Sequence, residues 1–77
     1  MYNLMDDNLE HSIVLAGALK RNWSVEIVFL KNNHHMRYKY VVPVHIDHEK
    51  QIVQLQRFDE RIFDISIEDI ISCEVMI

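Results

Sequence analysis

Residues 51–77, QIVQLQRFDERIFDISIEDIISCEVMI, decide the fold of this chain. Gln51, Val53 and Leu55 alternate with Ile52, Gln54 and Gln56, which predicts a strand over about 51–58 with one face turned to a core. Asp59 and Glu60 turn the chain, and Arg61, Phe63 and Ile65 begin another strand with Asp64 on its opposite face. Ser66 can cap a one-turn helical step, Ile67 to Ile71, in which Ile67, Ile70 and Ile71 meet on one side. Cys73, Val75 and Ile77 then point inward from a closing strand.

Working back toward the start, the apolar period lengthens. Asp7 can act as an N-cap, with Glu10 completing a capping box, and Leu9, Ile13, Ala16 and Leu19 follow at helical spacing. Lys20 and Arg21 place positive charge at the negative end of the helix dipole, so a helix is expected over about 7–20. Gly17 inside it costs about 1 kcal/mol unless it marks close packing against a strand. From Trp23 the period becomes two. Trp23, Val25, Ile27 and Phe29 form the buried face of a strand enclosed by neighbours, and Lys31, Asn32, Asn33, His34 and His35 form a polar connection in which Asn32 or Asn33 can take the left-handed conformation of a tight hairpin. A long second strand runs from Met36 to about Ile46 with a bend at Pro43, and residues 47–50 make the next turn.

One helix followed by five strands makes the chain mainly β (α+β): an N-terminal helix and a small, strongly bent five-stranded barrel of the SH3-like or Sm-like kind. Its second strand curls the sheet until the first and last strands pair. Seventy-seven residues make one domain, 1–77, with the helix at about 7–20 and the barrel at about 22–77. A chain of this size buries only roughly 60 % of the surface its unfolded form exposes, so its core is modest. At 49 % apolar residues it is nonetheless well outside the composition of disordered segments.

Cys73 is the sole cysteine, which excludes an intrachain disulfide and points to a reducing compartment. No apolar run reaches the length of a membrane span, and Ile13 to Leu19 lacks the positive region that precedes a signal sequence. A cytoplasmic location is expected. The net charge of −4 is unevenly spread: −3 over residues 1–19, +4 over 20–39 and −5 over 59–77. A net acidic domain is a poor general binder of phosphate backbones, although one local basic patch survives that objection.

The segments VPVHIDHEKQIVQL, residues 42–55, and FDISIEDIISCEV, residues 63–75, resemble the barrel of the YolD-like family of small bacterial and phage proteins. The resemblance covers about residues 25–75 and rests on an isoleucine-aspartate turn, an alternating strand and an isoleucine-x-x-aspartate-isoleucine ending. It departs from the family in its shorter N-terminal region and in having Asn32, Asn33, His34 and His35 where a glycine usually stands in the first hairpin. The resemblance implies an accessory role beside a translesion DNA polymerase or in DNA repair, exercised by binding protein rather than by catalysis.

The residues themselves leave three classes of function open. Asp59, Glu60, Asp64, Glu68 and Asp69 form either ordinary solvated surface or a protein-binding surface that meets a basic partner, as an acidic phage-encoded inhibitor of a nucleic-acid enzyme does. Lys31, Arg37, Lys39, Tyr38 and Tyr40 combine charge with stackable rings, the ingredients of an RNA or single-stranded DNA platform. If Arg37 and Lys39 face outward, however, both tyrosines face the core. Self-assembly through edge strands is the third class, because the ending Cys73 to Ile77 has no charge after Glu74.

Catalysis and cofactors are not expected. Ser12, Ser24, Ser66, Ser72 and Cys73 stand in no motif that activates a nucleophile, and one glycine cannot build a phosphate-cradling loop. His34, His35, His45 and His48 with Asp47 suggest a two-histidine, one-carboxylate metal site only until direction is considered. Neighbouring histidines on an extended strand point apart, and residues three apart lie on opposite faces, so exposed polar loop residues are expected instead.

Overall fold

A computed structural model describes residues 5–76, with side chains from Leu9 onward. One helix, α1 (Met5–Arg21), is followed by β1 (Ser24–Lys31), β2 (His34–Asp47), β3 (Ile52–Gln56), β4 (Ile62–Ser66), a 3-10 turn (Ile67–Asp69) and β5 (Ile70–Met76). The strands form one antiparallel sheet in the order β4-β3-β2-β1-β5. The first and last strands pair, as expected, but no ladder joins β4 to β5, so hydrogen bonds do not close the sheet into a barrel.

Helix α1 is already formed at Met5, so Asp7 lies within it rather than capping it, and the Asp7 side chain lies outside the described residues. The expected apolar face is also the wrong one. Leu15 and Ala18 are fully buried, with His11, Val14 and Leu19 partly so, whereas Leu9, Ile13 and Ala16 are exposed. Two apolar stripes share this helix, and spacing alone does not say which one meets the sheet. Asn22 ends the helix at φ 56°: its N–H donates to Leu19 and the Trp23 N–H donates to Ala18 at 2.9 Å, the paired bonds of a Schellman cap. Trp23 then sits outside the sheet, 39 % exposed, with the Arg21 guanidinium 5.1 Å from its ring centre.

The β1–β2 hairpin turns on two residues. Lys31 pairs with His34, and both Asn32 and Asn33 have positive φ, 52° and 65°, as the tight primed turn requires. His34 and His35 therefore belong to β2 and not to a loop. Further along, β2 breaks the alternation of inward residues twice. Ile27 and Val25 pair with Tyr38 and Val41, leaving one extra residue on β2, and Tyr40 takes φ 58° there and turns outward, 62 % exposed. Pro43 and His45 pair with Leu55 and Gln54, so Val44 is a second extra residue, 37 % exposed. The bend expected at Pro43 is this pair of bulges, between which β2 passes from the β1 ladder to the β3 ladder.

A third bulge occurs in β5. Val28 and Phe29 pair with Ser72 and Ile70, leaving Ile71 unpaired and 46 % exposed rather than packed beside Ile67 and Ile70. Ser66 makes no side-chain capping bond to the 3-10 turn. The turn is tied down instead by the Ile67 N–H, which donates to the Gln51 carbonyl at 2.9 Å. Cys73 is buried and Val75 packs against the core, while Ile77 lies outside the described residues.

The core draws Val25, Ile27, Phe29, Val41, Val53, Leu55, Ile65, Ile67 and Ile70 from every strand and the turn, with Leu15 and Ala18 from α1. Ring contacts show how far the sheet curls. Phe63 on β4 stacks 6.5 Å from Phe29 on β1 and meets Tyr38 edge-on at 5.1 Å, although two strands separate β4 from β1 in the sheet order.

Gly17 is not held by close packing, because a methyl group added there would meet only the tip of the flexible Arg21 side chain, at 3.4 Å. Gly17→Ala is therefore expected to stabilise the fold by about 0.5–1 kcal/mol through helix propensity. Urea unfolding followed by circular dichroism measures this, and a destabilised variant would reveal a packing constraint at Gly17.

Candidate functional site

The open sheet has two edge strands, β4 and β5, and the β4 edge runs beside a cleft that unites residues from both sequence-predicted sets. Phe29, Leu30 and Lys31 at the end of β1 form one wall, Phe63, Asp64, Ile65 and Ser66 of β4 the other, with Tyr38 and Asp69 completing a cavity of about 190 Å³. Four consecutive residues of a strand cannot all point their side chains the same way, so the β4 wall is largely the strand's own backbone edge. The floor consists of the three rings, Phe29, Tyr38 and Phe63.

Tyr38 is committed to this floor. It meets Phe29 at 5.6 Å and Phe63 at 5.1 Å, and the Arg57 guanidinium lies 4.8 Å from its ring centre. Little of the ring is left for a base to stack on. Tyr40, expected in the core with it, stands exposed on its bulge instead. Arg37, on the outward face, has its guanidinium 3.5 Å from the Glu26 carboxylate on β1, while Lys39 and Lys31 are exposed. The five basic and aromatic residues thus do not form one platform. Arg57 was missed in the sequence because it stands at the end of a strand with no helical or alternating pattern to single it out.

The acidic residues stand before, within and after β4. Asp59 and Glu60 occupy the tight turn before β4, where the Arg57 N–H donates to the Arg61 carbonyl and Glu60 takes φ 69°; Asp59 accepts from the Arg61 N–H at 3.2 Å. Its carboxylate also lies 3.7 Å from the Arg61 guanidinium. Asp64 is exposed in the middle of β4, and Glu68 and Asp69 are exposed in the turn after it. All five were found by charge alone. They do not form one compact patch: Asp64 and Asp69 line the cleft, Glu68 lines a groove with Leu9 and Ile13 of α1, and Asp59 and Glu60 stand in the turn before β4.

Around the remaining polar candidates the chemistry is structural. Asp47 Oδ1 accepts from the backbone N–H groups of Lys50 at 3.0 Å and Glu49 at 3.1 Å, and the Lys50 bond chiefly holds the carboxyl below its usual range. This anchors the turn after β2, which closes with Gln51 at φ 56°. Among the described residues no three His, Cys, Asp or Glu side chains are grouped closely enough to hold a metal ion. No described helix is long and apolar enough to cross a membrane. His11 leaves its Nδ1 buried without a hydrogen-bond partner, a cost the sequence pattern did not reveal.

Comparison with family models, curated proteins and solved structures finds no match to this chain.

Burial, helped by the neighbouring Glu74 carboxylate, pushes the Cys73 thiol up from 9.0 to about 11, so it is protonated at neutral pH and poorly nucleophilic. The folded state holds this proton more tightly than the unfolded chain. Stability owed to the thiol is complete below pH 9 and falls as pH rises from 9 toward 11, by an amount on the order of 2 kcal/mol. Across that range the unfolding free energy of the native chain should fall relative to that of Cys73→Ala; parallel pH profiles would contradict it.

Proposed function

We propose that this chain is a non-enzymatic protein-binding module, a small SH3-like barrel closed by side chains where hydrogen bonds leave it open. It accepts an extended, basic segment of a partner protein as an added strand on β4. The unpaired β4 edge running beside a ring-floored cleft is the observation that carries this reading. An exposed edge offers backbone donors and acceptors to a new strand, and an adjacent cavity of about 190 Å³ can take one apolar side chain of that strand. Specificity for a basic segment comes from Asp64 and Asp69 at the cleft, with Asp59, Glu60 and Glu68 in the turns on either side of β4.

The resemblance to the YolD-like family supplies the partner: a translesion DNA polymerase or another DNA-repair enzyme, met in the cytoplasm of a bacterium. The same acidic border suits an inhibitor that occupies the place of DNA on a basic groove, and the identity of the partner separates the two. An RNA or single-strand platform is disfavoured, since Tyr38 is covered by Arg57 and Arg37 is paired with Glu26.

Affinity capture from a bacterial lysate tests this, comparing the native chain with Asp64→Lys/Glu68→Lys/Asp69→Lys, three exposed positions where charge reversal spares the core. The expected result is a protein held by the native chain and lost by the variant, whose binding slows hydrogen exchange of the β4 amides. A Y-family polymerase assigns the accessory role, and a nuclease assigns inhibition. RNA copurifying in place of a protein, or a partner retained by the variant, overturns the proposal.

A further inference from the structure

Two backbone bonds fix which groups the outer edge of β4 presents. The Arg57 N–H donates to the Arg61 carbonyl and the Ile67 N–H donates to the Gln51 carbonyl, both at 2.9 Å. Both pairs continue the register in which Ile52 faces Ser66 and Gln56 faces Ile62. Bonded and non-bonded pairs alternate along an antiparallel ladder, so residues 61, 63, 65 and 67 turn their backbone groups toward β3. The N–H and C=O groups of Ile62, Asp64 and Ser66 therefore point to the outer edge, where no described strand meets them.

The side chains of β4 divide with the same period. Phe63 belongs to the ring floor and Ile65 is buried, while Ile62 is 56 % exposed, Asp64 is exposed and Ser66 is half-buried on the opposite face. Every ladder of the sheet is antiparallel. A strand added in that sense bonds through the residues directly opposite Ile62, Asp64 and Ser66 and sets their side chains on the outer face. Its two intervening residues face the cleft.

Resting on the reading of β4 as a docking edge, we propose that the partner segment is a strand of five residues in a fixed order. From its N-terminus it carries a hydroxyl residue opposite Ser66, an apolar residue opposite Ile65 and a lysine or arginine opposite Asp64. An apolar residue opposite Phe63 and a β-branched aliphatic residue opposite Ile62 complete it. The cation meets the Asp64 carboxylate as a cross-strand pair, and the aliphatic residue covers Ile62. The two inward residues lie over Phe29, Tyr38 and Phe63, and one of them fills the cavity of about 190 Å³. The other edge strand of a second copy, β5, does not fit: IISCEVM holds no basic side chain for Asp64 and brings Glu74 instead.

Amide hydrogen exchange of the full chain by nuclear magnetic resonance, with a capped peptide holding TVKLI between glycine-serine flanks, tests this order. Slowed exchange is expected at the Ile62, Asp64 and Ser66 amides, with those of Phe63 and Ile65, already bonded to β3, little changed. The peptide TVELI should bind about fivefold or more weakly, and Asp64→Lys should reverse that preference. The reversed peptide ILKVT should also bind more weakly, because only a parallel strand gives it the same neighbours. Equal affinity for TVKLI and TVELI, a preference unchanged in Asp64→Lys, or tighter binding of ILKVT overturns the order, while protected edge amides leave strand docking on β4 standing. Absence of protection by any peptide at millimolar concentration overturns the order too. Docking itself falls with it only if the protein captured from a lysate leaves the same amides unprotected.

Discussion

Two extra residues in β2, Tyr40 and Val44, are the constraint on which the rest of the molecule depends. Without them a strand of 14 residues would keep its inward side chains in step and run straight past both neighbours. With them, the inward positions become Met36, Tyr38, Val41, Pro43 and Ile46, and β2 serves the β1 ladder with its first half and the β3 ladder with its second. The strain is localised in Tyr40, a bulky residue held at φ 58°, at a cost of about 1–2 kcal/mol. Burial of Val41 and Ile46 on either side of the two bulges offsets it.

Because the sheet is turned this way, β4 is carried round to face the end of β1, and the gap is filled by Phe29, Tyr38 and Phe63 instead of a ladder. The ring contacts leave the outer backbone edge of β4 without a ladder partner among the described residues, with a small cavity next to it. A free edge is an aggregation hazard unless charge guards it. The acidic residues before, within and after β4 serve as that guard, and in the proposed binding module the same charges select a basic strand over a neutral one. The ring contacts and the open edge are thus one consequence of the path of β2.

Much of this was legible in the sequence. The alternation of Val25, Ile27 and Phe29, of Val53 and Leu55, and the inward Ile65, Ile67 and Cys73 gave the strands and most of the core. Asn32 and Asn33 marked the hairpin because few other residues tolerate positive φ. Bulges were not legible: Tyr40 and Val44 are apolar residues that fit an alternating strand, Ile71 fits a helical step with Ile67 and Ile70, and only the register of the folded sheet shows that each is ejected. For α1 the failure was different, since Leu9, Ile13 and Ala16 make as good an apolar stripe as the one the sheet covers. The candidate site was half visible. Charge picked out its acidic border, but its ring floor joins residues far apart in sequence, and Arg57 over Tyr38 left no local signal.

Proton nuclear Overhauser spectroscopy of the aromatic rings tests the central claim directly, because Phe63 can meet Phe29 and Tyr38 only if β2 turns the sheet upon itself. Cross-peaks from the Phe63 ring to both other rings are expected, together with a break in the β1–β2 backbone contacts at Tyr40. A Phe63 ring without contact to either partner, or a ladder that runs through Tyr40 in unbroken register, would contradict the account.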